Sequence, residues 1–482
     1  MERLDAVVVG SGPNGLAAAL VLATAGLSVR VFEAADAPGG GCRTAALTLP
    51  GFAHDVCSAA HPLAVASPFF RRFGIESHGV HLLQPEVCFA HPLDGGRAAC
   101  VSRSVQETAR ALGADGPAYH RLMAPLVASA DEITEAALSS YRSLPRRPMA
   151  VGRFALEGVR SATEVAGRFE TAEARALLGG VAAHAMRPLD SPLTAGVGLL
   201  LGLLAHAVGW PVVEGGSGSL AAAMARALEA SGGEIVTGAR VTSLSELPPS
   251  RAVLLDVSPS GLVDLAAGRM PPRAARALRR YRYGPGVCKV DWALDGPVPW
   301  QPDACRKAGT LHLGGTIEEI AAAEDDVARG RHPERPYVLV VQPGVVDATR
   351  APAGKHTLWT YCHVPSGSER DMRVEIGRQI ERFAPGFQDL VLATAVRTAV
   401  DMERENPNYV GGDIGAGAQT VRQTVFRPVA RWNPYRTPLD GVYLCSASTP
   451  PGPGVHGRCG ELAARSVLRD VFGIRSSNTA LP

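Results

Sequence analysis

The sequence predicts an α/β protein: a Rossmann-type domain whose chain is interrupted by a discontinuous α+β domain carrying a helical insertion. Three observations predict it. Residues 5–44 run in the order strand, glycine turn, helix, strand and acid. Residues 104–209 fall into long alanine-, leucine- and arginine-rich stretches that read as helices. Beyond Pro211 the chain returns to alternating strand and helix signals, and residues 441–472 again read as strand, Gly/Pro turn and helix.

The first stretch organises the rest. Residues 6–9 are a short apolar, β-branched run bounded by Gly10, as in a buried parallel strand. The turn Gly10-Ser11-Gly12-Pro13-Asn14-Gly15 follows, then a helix-forming segment that Gly26 ends. Gly10 allows a tight turn, Gly12 lets the backbone approach a pyrophosphate, and Gly15 lets helix and strand pack closely. The N-terminus of that helix offers unpaired N–H groups to a phosphate. A second β-branched run stops at Glu33, 18 residues beyond Gly15, where an acid accepts hydrogen bonds from a ribose. Ala34 follows it into the same expected site.

A second glycine turn comes next, at Gly39, Gly40 and Gly41, with Arg43 and Thr44 behind it. A plain NAD domain has no use for it. In a flavoprotein the extra turn runs beside the pyrophosphate, and Arg43 can neutralise it with a charge-assisted bond. The pattern resembles the GG-x-x-R-T element of the flavin amine oxidase and phytoene desaturase superfamily, and it favours FAD over NAD.

Composition narrows the function class. The chain has 482 residues, enough for two or three domains, with 46% hydrophobic and 20% charged residues, as in a folded globular protein. A net charge of +2 and the lack of a basic run give no support for a nucleic-acid partner, and none is expected. Nine scattered cysteines without a CxxC pair argue for a reducing compartment and against zinc. No signal-peptide pattern opens the sequence, so a cytoplasmic location is expected. Residues 193–210 are uncharged over 18 positions but hold four glycines and His206 between Pro192 and Pro211. They read as a buried helix or one lining an apolar cavity, with peripheral membrane contact as the further option.

Helices are expected over 104–112, 116–140, 156–169, 171–184 and 192–208. The Gly215-Gly216-Ser217-Gly218-Ser219 turn should open a helix over 220–230, with Ser219 as its N-cap. Asp94-Gly95-Gly96 marks a hairpin tip. Strands are expected over 252–257, 287–294, 309–313, 336–342 and 356–363, and helices over 317–329, 369–383 and 461–472. Ser476 to Pro482 read as a polar, frayed tail. These elements assign 1–103, 210–280 and 431–482 to the dinucleotide domain, 104–209 to a helical part, and 281–430 to a mixed-sheet substrate domain.

Matching stretches run from end to end: GSGPNGL, LPGFAHDVCSAAHP, GWPVVEGGSGSL, YGPGVCKVDWALDGPVPW, PNYVGGDIGAG and FRPVARWNPYRTPLDGVYLCSASTPPGPGVHG. On these the chain resembles the phytoene desaturase-like proteins of the flavin amine oxidase superfamily. Its closer likeness is to the bacterial phytoene dehydrogenase-related proteins and their mitochondrial relatives. The resemblance implies a fold like p-hydroxybenzoate hydroxylase with non-covalent FAD. It implies that residues Gly10 to Gly15, Glu33, Gly39, Gly40 and Arg43 hold the ADP half, and that Val241 holds the adenine through its backbone. It places Ala447, Ser448, Gly454, Val455 and His456 at the pyrophosphate and ring. Arg458 departs from the pattern, where an apolar residue is expected.

The expected activity is desaturation or dehydrogenation of an apolar, isoprenoid- or polyketide-like substrate, with hydride passing to flavin N5 and reoxidation by oxygen or a quinone. His61 and His456 are the candidate bases. Lys289 resembles the lysine that positions a water in amine oxidases, and Asp291 shares its strand face at i, i+2. An amine oxidase is the alternative, with Tyr409, Tyr435 and Trp432 as cage candidates. A flavin-binding regulatory protein with little turnover is the third reading. No residue pattern assigns the oligomeric state.

Overall fold

A computed structural model describes residues 3–140, 147–474 and 481. All of the expected polar tail except Leu481 lies outside the described residues.

The first strand, Leu4–Val9, sits at the centre of a five-stranded sheet. It pairs in parallel with Val29–Phe32 on one side and Ser250–Leu255 on the other. Glu234–Val236 and Val442–Leu444 complete the edges, also in parallel. Helix Pro13–Thr24 packs across the sheet against helices Gly218–Ala230 and Arg458–Val471. This apolar helix is buried along nearly its whole length. A Cβ at Gly15 would run into the Gly10 carbonyl, so only glycine lets the turn close on the helix here. The predicted strand–turn–helix–strand order is thus the core of the molecule, and its parallel strands, buried on both faces, are the Rossmann-like arrangement.

A second, seven-stranded mixed sheet contains Gly286–Leu294 between Val391–Arg397 and His356–Val364, followed by Val338–Val341, Ala308–Leu313, Val87–Leu93 and Arg97–Val101. The hairpin around Asp94-Gly95-Gly96 is present. Its strands belong to this sheet through the pairing of Val87–Leu93 with Ala308–Leu313. The sequence-based boundary at residue 103 therefore falls too late. Residues 87–101 carry strand signals but no cue to which sheet they join.

One face of the seven-stranded sheet is closed by helix Arg373–Phe383, whose Ile376, Ile380 and Phe383 pack on Val290, Trp292, Leu294 and Leu358. The opposite face, one residue out of phase along each strand, carries Lys289, Asp291, Trp359, Tyr361 and Leu339. Helices of the insertion, chiefly Ala172–Ala182 and Thr194–Ala207, pack over part of that second face.

Several helix boundaries differ from the sequence reading, and three show a local cause. The 116–140 stretch is two helices, Gly116–Val127 and Ala130–Ala137, because Pro125 removes a ladder donor just before the break. Residues 156–169 are also split. Pro148–Gly158 begins earlier on a proline, and Ala162–Ala166 restarts where the Ser161 side chain accepts the Glu164 N–H. Ser217, not Ser219, precedes helix Gly218–Ala230, held there by its N–H to Asp55 at 2.7 Å.

Candidate functional site

A cavity of about 860 Å³ runs between the two sheets. That is within the range of a site for a large organic ligand. Its walls come from both ends of the chain and from the insertion.

At the five-stranded sheet the wall is mostly backbone. Gly10, Gly12, Pro13 and Asn14 line it, with Glu33, Ala34, Gly40, Arg43 and Val241. Gly10 has φ +95° and Gly40 φ +54°, and a Cβ on Gly40 would sit 3.0 Å from Gly12 Cα. Both turns therefore need glycine to lie against each other. Glu33 Oε2 accepts the Ser11 N–H at 2.9 Å and its hydroxyl at 2.5 Å, and Oε1 accepts the Ala35 N–H at 2.9 Å. Arg43 Nε donates to the Gly40 carbonyl at 2.8 Å. Asn14 Oδ1 is buried without a partner, an acceptor left open beside the turn. Of the residues assigned to this region from sequence, Gly15 and Gly39 stand behind the wall, where they shape the turns.

Sequence reasoning missed Asp256, at the end of the central strand pair. It lines the cavity and its Oδ2 accepts the Gly15 N–H at 3.0 Å. Burial pushes its carboxyl up to about 7, and the nearby Glu33 charge adds to the push against the Gly15 hydrogen bond. A carboxyl thus occupies the same helix N-terminus that a phosphate would use.

The chain's last elements supply Ala447, Ser448, Gly454 and Val455 to the wall. The buried Arg427 guanidinium donates to the Ala447 carbonyl at 3.1 Å, and Ser448 Oγ donates to the Ala416 carbonyl at 3.0 Å. Helix Arg458–Val471 begins three residues after Val455. His456 itself does not face the cavity. Its Nε2 meets the Gly452 carbonyl at 3.1 Å and its Nδ1 accepts the Arg458 N–H at 3.0 Å. Both nitrogens are engaged, and burial pushes the ring down to about 4. His456 therefore pins the Gly/Pro turn and is not a free base. Arg458 also turns away. It donates to Glu461 Oε2 at 2.6 Å and to the Leu138 carbonyl at 2.9 Å. Glu461 is buried among Arg72, Arg458 and Arg465, whose charges outweigh its burial and hold its carboxyl below the usual range.

His61 does line the cavity. Its Nε2 lies 2.8 Å from Ser217 Oγ, whose hydroxyl donates to the Ser58 carbonyl. That assigns the proton to His61 Nε2 and leaves Nδ1 bare and without a partner. Burial lowers the ring to about 4, so it is a neutral acceptor at pH 7 and a weak base.

At the seven-stranded sheet the wall is made of side chains. Trp210, Leu339, Val341, Trp359 and Tyr361 face it, with Val197, Leu200 and Leu201 from helix Thr194–Ala207. The expectation that residues 193–210 form a cavity-lining helix holds in this respect. No described helix is long and apolar enough to cross a membrane. Lys289 is not in the wall. It lies behind Trp359, 5.3 Å from the ring centroid, with Nζ 2.5 Å from both Asp291 oxygens. Asp291 also accepts from Arg397 at 2.9 Å, and Arg397 reaches Glu405 at 3.0 Å. Burial lowers Lys289 to about 8 against the pull of Asp291. The strand parity expected for Lys289 and Asp291 is present, but it builds a buried ion cluster and not a water-positioning lysine. Of the cage candidates only Tyr409 lines the cavity. Tyr435 donates to the Pro450 carbonyl at 3.1 Å, and Trp432 is 78% exposed. Trp359, Tyr361 and His184 went unseen in the sequence because they lie on elements distant from the motifs, and Trp210, at the end of the 193–210 stretch, was not singled out as a site residue.

The glycine turns, the open Asn14 acceptor, Glu33 and the continuous cavity fit an extended dinucleotide. The profile of the NAD(P)-binding Rossmann-like domain family matches residues 8–73. The rat pyridine nucleotide-disulfide oxidoreductase domain-containing protein 2 is 28% identical over 97% of this chain and 94% of its own. The 4,4'-diapolycopen-4-al dehydrogenase of Metabacillus indicus is 26% identical over 56% of this chain and 55% of its own. Among solved structures, an oxidoreductase from Methanosarcina mazei superposes with TM-score 0.64 at 17% identity, over 97% of this chain and 100% of that one. Putrescine oxidase bound to putrescine gives TM-score 0.58 at 19% identity, over 98% of this chain and 99% of that one. At these identities the two structures share the fold with this chain.

Proposed function

We propose that this chain, a homologue of those Rossmann-fold proteins, is an FAD-dependent oxidoreductase that dehydrogenates an apolar substrate. One observation carries the reading: the cavity is continuous from the two glycine turns to an aromatic and aliphatic chamber on the second sheet. A dinucleotide alone would not call for that chamber. The ADP half would lie along Gly10 to Asn14, Glu33, Gly40 and Arg43, with Val241 at the adenine and Ala447, Ser448, Gly454 and Val455 toward the ring. When bound, FAD would supply the two-electron acceptor, with oxygen or a quinone taking the electrons onward.

The chain's own residues then have limited tasks. The turns and helix N-terminus orient the phosphates. The chamber of Leu200, Leu201, Leu339, Val341 and Trp359 holds an apolar chain and excludes water. Asp256, the wall carboxyl raised to about 7, is held at the glycine turn by the Gly15 N–H and not in the apolar chamber, and burial makes His61 a weak base. The reading therefore relies on placement and not on strong base catalysis. The likeness to diapolycopen-4-al dehydrogenase supports an isoprenoid-like substrate.

An amine oxidase is the second reading, favoured by Trp359 and Tyr361 standing together on the chamber wall, 5.2 Å between ring centroids. Anaerobic reduction of the purified, yellow protein separates the two. Bleaching by polyenes supports the first reading, and bleaching by amines alone replaces it with the second. A folded protein that takes up no FAD removes both.

A further inference from the structure

The protonation pattern of the buried histidines decides what the chamber offers a ligand. His91 Nε2 faces the Gly315 carbonyl at 2.7 Å, so it holds the proton, and Nδ1 is bare and unpartnered. His61 follows the same rule, as shown above. In each ring the orphaned nitrogen is the acceptor, which is less costly to leave unmade than an orphaned N–H.

His312 is a further such ring, fully buried with Nδ1 unpartnered. The same rule places its proton on Nε2, which lies 3.0 Å from His184 Nε2. Burial holds both rings neutral at pH 7. His184 Nε2 must then accept, and the His184 proton sits on Nδ1. His184 is half-buried and lines the cavity, and among the described residues its only hydrogen-bond partner is His312.

A second observation points the same way. Three tryptophans buried around the second sheet have acceptors for their indole N–H: Trp210 has Thr310, Trp292 has Thr360, and Trp300 has Gln342. Trp359 lines the cavity, is 5% exposed, and its Nε1 has none. Indole nitrogen only donates. His312 pairs with Leu339 and Trp359 with Val341, so the histidine pair and this indole flank the same strand.

We infer that the chamber is a hydrogen-bond-donating subsite for a neutral oxygen acceptor, a carbonyl, on an otherwise apolar substrate, with His184 Nδ1–H and Trp359 Nε1–H as the donors. This rests on the oxidoreductase reading and deepens it. A carboxylate is disfavoured because the nearest cation behind this wall, Lys289, is neutralised by Asp291. An ammonium is disfavoured because it has no lone pair for these donors.

The test uses FAD-loaded protein and three probes of one length: 2-dodecanone, dodecane and dodecylamine. Binding is read from the perturbation of the flavin spectrum and from tryptophan fluorescence. The ketone should bind about tenfold more tightly than the alkane, the scale of one net hydrogen bond. His184→Phe and, separately, Trp359→Phe should each reduce that preference, with ketone affinity falling by more than dodecane affinity. Equal affinity for ketone and alkane in the wild type overturns the inference, as does tighter binding of the amine at pH 7. So does a proportional loss of both ligands in both variants, which marks a structural role. A protein that takes up no FAD fails earlier and sinks the oxidoreductase reading instead.

Discussion

The two ends of the cavity are built in opposite ways. At the five-stranded sheet the wall is backbone: two glycine turns, a helix N-terminus and a few short side chains. At the seven-stranded sheet it is side chains: indoles, a phenol, an imidazole and aliphatic groups on strands far apart in sequence. A backbone-built end suits a ligand part whose chemistry does not change, such as a pyrophosphate. A side-chain-built end can be altered residue by residue without moving the fold, and that is where substrate choice belongs. The second end also needs support from behind. The Lys289–Asp291–Arg397–Glu405 cluster backs Trp359 as a polar layer between sheet and wall.

The sharpest way to break this contrast is to remove that support. Asp291 is fully buried and shared by Lys289 and Arg397. Asp291→Ala leaves Lys289 without a counter-charge and Arg397 with Glu405 alone, and should cost about 3–5 kcal/mol in denaturant unfolding. A cost near zero would mean that the sheet end stands without its ionic layer.

The next effect lies at the glycine end and reads out through pH. Asp256 is raised from 3.8 to about 7 in the fold, chiefly by burial. The protonated form is therefore favoured by folding. Its stabilisation is complete below pH ~4, falls as pH rises, and is gone above pH ~7. Asp256→Asn should remove that slope and make the FAD-free protein more stable at pH 8 by on the order of 3 kcal/mol. At pH 4 it should make little difference. Because the carboxyl sits where phosphate would bind, the variant should also take up FAD more tightly at pH 8 than the wild type. An unchanged pH profile would show that Asp256 ionises freely and does not oppose an anion at the turn.

The same contrast explains what the sequence disclosed. Gly10, Gly12, Gly40, Glu33 and Arg43 are read easily because a backbone-built site needs local residues at fixed spacing, and local spacing is what one sequence displays. The parallel central strands and the cavity-lining helix over Thr194–Ala207 were legible for the same reason. The sheet end was not. Strand Gly286–Leu294 is buried on both faces, so alternation in its sequence does not say which residues face a ligand. Lys289 looked like a site residue and is a supporting one. Trp359 and His184 carry no motif, and only tertiary pairing brings them to the cavity. His456 lies in a legible motif, yet its ring serves the turn because Gly452 and the Arg458 N–H take both nitrogens.

A smaller effect sharpens the glycine end. Glu33 is already held by Ser11 and Ala35, with lone pairs left for a ribose. Glu33→Gln keeps the shape and removes the charge. FAD affinity, followed by quenching of flavin fluorescence, should fall about tenfold, or about 1.4 kcal/mol. If affinity is unchanged, the acid only ties the turn to the second strand and does not touch the ligand.

The smallest effect concerns the far face of the seven-stranded sheet. Ile380 is fully buried on helix Arg373–Phe383 and packs on the face away from the cavity. Ile380→Val removes one methylene and should cost about 1 kcal/mol of stability. The sheet stands between it and the chamber, and strand hydrogen bonds fix the register of Trp359 opposite Asp291 and Val341. FAD uptake and the ketone-over-alkane preference should therefore stay as in the wild type. A changed preference would mean that packing on one face moves side chains on the other. The sheet would then be a deformable element and not a rigid platform, and the division of labour between the two ends would have to include the helix behind it.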